Sequence, residues 1–462
     1  MRVKPMDQIL AQAEDQERGL QRSMGVWSLT AFGVAAIIGA GIFVLTGVAA
    51  ATTAGPGIVL SYIVAAIVSG LAALCYAEFA SSVPIAGSAY TYSYAVLGEL
   101  IAWIIGWDLV LEYGVGAAAV ASGWSGYFTD FLKSTFNVTL PTSIAASHFD
   151  PAHGIINLPA VIIILLITML LITGTSKSSK VTNIAVLVKV GIVLFFIVVG
   201  VTHIHTSNWH PFLPFGVAGI SSGASLIFFA YIGFDEVSTA AEEVKDPDKT
   251  MPRGIILSLA ICTFLYIAVA GILTGMVKYS RLNNASPVSH AMIQIGLNKA
   301  ATVISIGAIV GLFTVLLVLL FGQSRIFFSM SRDGLLPGFF SVVHPRFRTP
   351  YLSNILVGVI IAVLAGLAPI DTLAKLVNIG TLAAFILVAI AVLLLRRSNP
   401  DLRRGFRVPF VSVLSPLTVL ASLYLIYKLP AETWLRFVIW LAIGLVLYFV
   451  YGRGHSRLGR AA

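Results

Sequence analysis

The chain has 462 residues, of which 58% are hydrophobic and only 11% are charged. Soluble domains carry about 25% charged residues, so this composition excludes a soluble globular protein. The length is enough for about a dozen membrane-spanning helices of roughly 20 residues each. We therefore predict an all-α integral membrane protein.

Both ends of the chain are polar, and residues 1–24 contain no apolar run before a small-residue cleavage site. The sequence therefore predicts a cytoplasmic N-terminal segment and no signal peptide. Residues 453–462 are predicted to form a cytoplasmic tail. Cys75 and Cys262 lie inside apolar runs, which disfavours a disulfide framework or a metal cluster.

Between these ends, the apolar runs predict twelve transmembrane helices in a single domain, residues 25–452. The expected spans lie at about residues 27–50, 57–80, 96–128, 156–174, 181–203, 219–241, 254–277, 301–331, 351–368, 373–395, 409–428 and 433–452.

The placement of Lys and Arg predicts the orientation of these spans. Of the 29 Lys and Arg residues, 21 fall in predicted inner segments, seven in outer segments and one, Lys189, within a span. Because basic residues concentrate on the cytoplasmic side, we expect both termini in the cytoplasm of a multi-pass protein of the cytoplasmic membrane. The formal net charge of +9 then reflects topology and indicates no nucleic-acid partner.

Three predicted loops have distinctive composition. Ser134–Leu158 is a polar excursion on the outer side, and Ser280–Asn298 is a second one in which a short helix could cover the outer mouth. The inner segment Ser81–Tyr94 has no charge, yet it is too polar for a span. We predict a re-entrant or interfacial segment there.

Glycine interrupts the first predicted span at Gly39-Ala40-Gly41. Within a membrane, such a break is tolerated only where it is buried in protein or lines a cavity. The N–H groups of Ala40 and Gly41 would begin a second half-helix, whose positive end favours a carboxylate. The alternative is a helix-packing motif, because small residues also let helices approach closely.

The sixth predicted span is interrupted in the same way, within Phe228–Phe234. There we expect the carbonyl groups of Phe229, Ala230 and Ile232 to be free to accept hydrogen bonds from an ammonium group. Phe229 would act as a thin gate beside the break, although aromatic residues in membrane helices more often serve packing.

The two breaks lie five spans apart, an odd offset that reverses orientation. This arrangement predicts two inverted repeats, at about residues 27–203 and 219–395, followed by two extra helices at about residues 409–452. Paired breaks at matching positions of inverted halves are typical of a transporter binding site at mid-membrane. The expected guest is a zwitterion.

Lys189 lies far from either membrane interface, where a charge needs a partner or a function. We interpret it as a proton-linked switch or as a fixed positive charge in place of a bound Na⁺. The structural alternative is a lysine neutralised by pairing with Glu112 or Asp108.

Acidic residues also occur within the predicted spans. Glu112 is the leading candidate for a wall of the substrate pocket or for a gate on a path through it. The structural alternative is a protonated group in a hydrogen bond between helices. Asp108 lies one helical turn earlier, so that the two carboxyl groups could share a proton. Asp235 and Glu236 directly follow the second break. We expect one of these two to face the permeation path.

Other site chemistries have little support. Three histidines, His203, His205 and His210, have no neighbouring carboxylates and lie near an interface, which disfavours a metal site. The sequence contains no Walker motif, nucleophile elbow or zinc-ligand spacing. We therefore predict neither an enzyme nor an ATP-driven pump, and we expect no cofactor and no metal ion.

Several blocks together resemble the amino acid–polyamine–organocation superfamily, in particular the bacterial relatives of the cationic amino acid transporters. The blocks, which extend from about Gly25 through the last span, are GAGIFVLTG, CYAEFASSVPIAGSAYTYSY, GWDLVLEYGVG, FFAYIGFDEVSTAAEEVKDP and FGQSRIFFSMSRDGLLP. The resemblance implies the leucine-transporter-type fold of two inverted five-helix repeats with two C-terminal helices.

The resemblance also implies roles for single residues. The substrate carboxylate would bind the amides of Ala40 and Gly41, and Lys189 would occupy the place of a sodium ion, which implies proton coupling or sodium independence. Glu112 matches an acidic pocket residue associated with selectivity. The substrate amine would meet the carbonyl groups of Ile37, Phe229, Ala230 and Ile232, with Phe229 as gate.

The stretch from Thr314 to Phe321 departs from the pattern, because it offers no polar group that would reach a cationic side chain. This favours small neutral amino acids, whereas Glu236 weakly favours cationic ones. The expected partners are an L-amino acid, protons and the lipid bilayer. We predict a sodium-independent, proton-coupled secondary transporter, with an amino acid or polyamine exchanger, or a non-transporting receptor, as alternatives.

Overall fold

The computed structural model describes residues 24–82, 88–150, 153–173, 178–347, 349–402 and 404–461. Within these ranges the chain is helical apart from turns, loops and one isolated β-bridge between Met24 and Val244. The all-α prediction is confirmed.

The helices are numbered in chain order. They are α1 (Val26–Ile37), α2 (Thr46–Ala49), α3 (Ile58–Ser82), α4 (Ser88–Val96), α5 (Glu99–Phe136), α6 (Thr142–Ala145), α7 (Leu158–Thr173), α8 (Ser178–Val201), α9 (Gly216–Ile227), α10 (Pro247–Met276), α11 (Pro287–Gln294), α12 (Asn298–Arg332), α13 (Tyr351–Leu367), α14 (Ile370–Ser398), α15 (Val411–Tyr427), α16 (Ala431–Leu447), α17 (Arg453–His455) and α18 (Arg457–Ala461).

Tighter and wider helical turns extend several of these helices. The π-helical turns are Gly41–Leu45, Ala50–Ala54 and Tyr448–Gly452, and the 3₁₀ turns are Gly55–Gly57, Thr206–Trp209, Phe228–Tyr231, Glu236–Glu243, Tyr279–Arg281 and Gly338–Ser341.

Seven helical segments of the described chain are long and apolar enough to cross a membrane. They are Gly41–Ser82, Glu99–Phe136, Gly216–Ser238, Pro247–Met276, Asn298–Arg332, Ile370–Ser398 and Ala431–His455. Five shorter apolar helical segments accompany them, at Val26–Ile37, Leu158–Thr173, Val186–Val201, Tyr351–Leu367 and Val411–Tyr427. These segments confirm a multi-pass membrane protein, while the number of twelve spans stays a prediction.

Helix α5 forms the centre of the molecule. It packs against α12, α14 and α13, and its most apolar part is almost entirely buried. A second group of contacts joins α10 to α3 and α1. The candidate site lies where these two groups meet.

Of the predicted loop structures, the short helix within Ser280–Asn298 is present as α11, while its position on the outer side stays a prediction. It is fixed to α5 through Asp130, whose carboxylate accepts hydrogen bonds from the hydroxyl groups of Ser286 at 3.1 Å and Ser289 at 3.0 Å. Within the predicted inner segment, residues 83–87 lie outside the described residues, and the chain beyond them forms α4. A re-entrant or interfacial course stays a prediction.

A buried carboxylate ties the end of α3 to the end of α14 and the loop that follows. Glu78 accepts hydrogen bonds from Arg396 Nε at 2.8 Å, from Arg396 Nη2 at 2.6 Å and from the backbone N–H of Val408 at 2.7 Å. The Nε atom of Arg404 lies 3.5 Å from the same carboxylate. The side chain of Glu78 is 1% exposed, so its charge depends on these partners.

We expect Glu78→Ala to destabilise the protein strongly, because removing one member of a buried ion pair leaves the other charges without compensation, at a cost of roughly 3–5 kcal/mol. The control is Glu432→Ala, whose pair with Arg436 is exposed and should contribute about 0–1 kcal/mol. Thermal unfolding in detergent measures both. Equal losses in Tm would contradict this account.

Candidate functional site

The first predicted break is present. Helix α1 ends at Ile37, Ile38 is extended with ψ of 101°, and helical structure resumes with the π-helical turn that begins at Gly41. The N–H groups at the start of a helical segment have no acceptor within it. Ala40 and Gly41 therefore present the start of the second half-helix.

The second predicted break is also present. Helix α9 ends at Ile227, one 3₁₀ turn follows, and Ile232 is extended. Gly233 has φ of +110°, a conformation that only glycine adopts without strain. The chain then continues as the 3₁₀ turn Glu236–Glu243, so the second half of this span is more tightly wound than the α-helix that the sequence predicts.

The two breaks contact each other directly. A Cβ atom built on Gly41 would lie 2.3 Å from the Cα of Ala230, and one built on Gly233 would lie 2.9 Å from the carbonyl oxygen of Ala36. Real Cβ atoms do not approach backbone this closely. Glycine at both positions is therefore what lets the broken segments meet.

A small cavity lies at this meeting point. The volume in which the centre of a water molecule fits is about 30 Å³. The cavity therefore has room for about two or three waters. The two breaks form two of its walls, and α5, α12 and α14 form the others. The lining residues are Ala36, Ile37, Gly39, Ala40, Gly41, Glu112, Gly116, Val120, Phe229, Ile232, Glu236, Val315, Leu319 and Val377.

Seven of the eight residues predicted to bind substrate therefore line one cavity. The exception is Ala230, which lies against Gly41 and outside the lining. Phe229 lines the cavity and is 7% exposed, a position that a gate requires. The binding and gating roles of these residues stay predictions.

Tyr266 of α10 is a residue that the sequence reasoning missed. Its hydroxyl oxygen lies 2.9 Å from the carbonyl oxygen of Ile37 and 2.8 Å from that of Ala230. A hydroxyl group has one proton, so it donates to one of the two carbonyls at a time. A tyrosine at mid-span was the available signal, because a buried phenol needs a hydrogen-bond partner.

Lys189 of α8 lies behind the first break. Its ammonium group donates hydrogen bonds to the carbonyl oxygens of Ala35 and of Ile38, the latter at 2.8 Å. The side chain is fully buried. Its hydrogen bonds thus go to backbone that the break has freed, and the expected alternative of pairing with Glu112 or Asp108 is not what the structure shows.

Four buried carboxyl groups lie near the cavity, and they differ in position. Glu112 and Glu236 line it. Asp235 accepts a hydrogen bond from the N–H of Gly233 at 3.3 Å and so belongs to the turn of the second break. Asp108 is 1% exposed, and neither of its carboxylate oxygens has a hydrogen-bond partner among the described residues.

The remaining wall is apolar. Val120 of α5, Val315 and Leu319 of α12 and Val377 of α14 line it. Two of these come from the stretch in which the sequence offers no polar group for a cationic side chain. The contribution of α14 has no signal in the sequence.

Comparisons with known proteins give matches over almost the whole chain. The family model described as amino acid permease matches residues 24–456. The chain is 49% identical over 459 residues to the methylthioribose transporter of Bacillus subtilis, covering 99% of each protein. It is also 49% identical over 462 residues to the branched-chain amino acid permease BcaP of the same species, again covering 99% of each.

A plant protein extends the comparison to the cationic branch. The vacuolar cationic amino acid transporter 4 of Arabidopsis thaliana is 33% identical over an alignment of 582 residues, covering 100% of this chain and 96% of the relative. The resemblance found in the sequence blocks is confirmed.

We expect Gly41→Ala to abolish the fold around the breaks, because its Cβ would lie 2.3 Å from the Cα of Ala230. The matched control is Gly39→Ala, whose Cβ would have no contact closer than 3.6 Å, to Val315. Monodisperse yield and Tm in detergent measure the difference. A Gly41→Ala protein as stable as Gly39→Ala would contradict the direct contact of the two breaks.

Proposed function

The chain belongs to the amino acid permease family, whose members are transporters and not enzymes, and from that premise we propose that it is a sodium-independent, proton-linked secondary transporter of neutral L-amino acids. The observation that carries the proposal is the single cavity that both helix breaks line. A zwitterion needs donors and acceptors close together, and such a cavity supplies both.

The charged ends of the substrate would bind the two breaks. The start of the half-helix at Ala40 and Gly41 offers N–H groups and a positive dipole end for the carboxylate. The carbonyl groups of Ile37 and Ile232 and the carboxylate of Glu112 offer acceptors for the ammonium group. This division follows from the opposite polarity of a helix start and a helix end.

The apolar wall of Val120, Val315, Leu319 and Val377 supports a neutral side chain. The name of the branched-chain amino acid permease supports the same class. We therefore place alanine and the branched-chain amino acids ahead of arginine and lysine. If the site also takes a cationic substrate, its charged side chain would bind the carboxyl groups of Glu112 and Glu236.

Lys189 supports sodium independence. Its ammonium group already donates to the carbonyl oxygens of Ala35 and Ile38, which do not line the cavity. Hard cations such as Na⁺ favour oxygen ligands of this kind. A fixed ammonium group at this position would leave no need for a bound metal cation.

For the architecture, we propose twelve spans with both termini in the cytoplasm, arranged as inverted repeats over about residues 27–203 and 219–395. The extra helices would occupy about residues 409–452. We propose the cytoplasmic membrane as the location. The two breaks at matching positions of the repeats support this arrangement.

A second candidate substrate is methylthioribose, because one relative at 49% identity is named for its transport. This molecule has neither a carboxylate nor an ammonium group, so it would bind the same breaks through its hydroxyl groups. A direct comparison of the two classes therefore separates the candidates.

The test is uptake into proteoliposomes that contain the full chain. Radiolabelled alanine, leucine, arginine and methylthioribose are supplied with an imposed pH gradient, with and without Na⁺. We expect alanine or leucine to accumulate with the gradient and without Na⁺. Uptake that requires Na⁺ and does not respond to the pH gradient would overturn proton coupling in favour of symport with Na⁺. Uptake that occurs only when the proteoliposomes contain substrate would overturn it in favour of exchange.

We expect Lys189→Met to reduce alanine or leucine uptake at least about tenfold. Methionine is an unbranched apolar side chain one atom shorter than lysine, so it fills most of the same space but removes the donor for Ala35 and Ile38. Hydrogen bonds to charged groups contribute roughly 1.5–3 kcal/mol each. Lys375→Met is the control, because Lys375 forms a partly exposed pair with Asp371 outside the cavity. Undiminished gradient-driven uptake by Lys189→Met would rule out the role of this lysine.

A further inference from the structure

A second cavity lies between the start of α10 and the loop that follows α14. The volume in which the centre of a water molecule fits is about 480 Å³, which is within the range of small-molecule sites. A side chain on Gly405 of the loop would overlap the Cα atom of Asp248, so the loop packs directly against the helix beside this cavity. The lining residues are Asp248, Lys249, Pro252, Arg253, Ile256, Leu257, Gly405 and Phe406.

Two basic side chains of this lining are available to an anion. Lys249 and Arg253 are four residues apart on α10 and therefore share one face of the helix. Lys249 lies 3.9 Å from Asp246, and the two side chains are 70% and 61% exposed. Among the described residues, the exposed guanidinium group of Arg253 has no ion pair or hydrogen bond. The third charged residue of the lining is Asp248, which leaves the wall with a net charge of +1.

The segments on both sides of the cavity add to this positive charge. Residues 245–253 and 396–407 contain eight basic and three acidic residues. Basic clusters of this size at the end of a membrane-spanning helix are typical of sites for anionic lipid headgroups. The basic residues are Lys245, Lys249, Arg253, Arg396, Arg397, Arg403, Arg404 and Arg407, and the acidic ones are Asp246, Asp248 and Asp401.

The cavity also lies at the depth of the headgroups. Helix α10 has no charged residue from Gly254 to its end at Met276, and such a stretch is long enough to cross the hydrocarbon core. Lys249 and Arg253 directly precede it. Along the same face of α10, Ile256 is 39% exposed and Phe264 is 72% exposed. A ligand that is anionic at one end and apolar at the other therefore fits this surface.

We propose that the second cavity binds the headgroup of an anionic phospholipid. Its phosphate would lie between the ammonium group of Lys249 and the guanidinium group of Arg253, which can donate two parallel hydrogen bonds to phosphate oxygens. Its acyl chains would follow Ile256 and Phe264. A zwitterionic headgroup carries a cation of its own, so it gains less from the two basic groups. The proposal depends on the membrane-spanning course of α10 and on neither the substrate nor the coupling proposed above.

The experiment measures lipid binding by native mass spectrometry of the full chain in detergent. The two lipids are phosphatidylglycerol and phosphatidylcholine with the same acyl chains. One basic group near a membrane surface contributes about fivefold in affinity. Lys249→Gln/Arg253→Gln should therefore weaken the binding of phosphatidylglycerol about thirtyfold and that of phosphatidylcholine much less.

The matched control is Lys278→Gln/Arg281→Gln, which removes the same charge at the other end of α10, where both residues are exposed and line neither cavity. This control should change the binding of phosphatidylglycerol less than about threefold. An equal loss in the two double variants, or a loss below about threefold in Lys249→Gln/Arg253→Gln, would overturn the site. If that double variant is not monodisperse, Arg253→Gln alone should weaken binding about fivefold, and unchanged binding would overturn the site.

A competition measurement distinguishes a lipid from a soluble phosphate compound. Glycerophosphoglycerol is the headgroup of phosphatidylglycerol without acyl chains, and in large molar excess it should leave the lipid bound. Displacement of the lipid by this compound would overturn the lipid in favour of a soluble phosphodiester. Because binding is measured without transport, the outcome is separate from that of the uptake experiments.

Discussion

A backbone group that loses its helical partner inside a membrane has to find another, and this requirement determines how the two breaks are built. The carbonyl groups of Ile38 and Ala35 accept from Lys189, and those of Ile37 and Ala230 lie within hydrogen-bond distance of Tyr266. Two side chains from α8 and α10 thus donate to carbonyl groups that the breaks leave free, with Tyr266 donating to one of its two neighbours at a time. The unwound geometry is then a stable one and not a local defect.

The same requirement explains why small residues occur where they do. The breaks are in direct contact at Gly41 and Ala230, and the cavity beside them is only a few waters in size. A side chain at Gly41 would separate the two segments and remove that enclosure. The placement of glycine and the unpaired backbone groups at the breaks are therefore linked. The free N–H and C=O groups could bind a substrate only where a small enclosed site surrounds them.

The sequence predicts the parts of this site that depend on local rules. A glycine pair in an apolar run predicts the first break, and a lone charge at mid-span predicts that Lys189 needs buried partners, which are the carbonyl groups of Ala35 and Ile38. Such rules give no signal for Val377, and for Tyr266 they indicate only that a buried phenol needs a partner. The partners themselves come from helices far apart in the chain. The 3₁₀ winding after Gly233 is missed for a similar reason, since periodicity does not separate this winding from an α-helix over eight residues.

The distribution of groups around the cavity separates recognition from coupling. Backbone atoms at the breaks could bind only the carboxylate and ammonium groups that all amino acids share. The side chains available to distinguish one substrate side chain from another are those of Val120, Val315, Leu319 and Val377. Neither set can change its charge. The carboxyl groups of Glu112 and Glu236 can, and they line the same cavity as the other two sets. In the proposed proton-linked transport, a proton bound at either group would act directly on the ammonium group of the substrate, without a long-range relay.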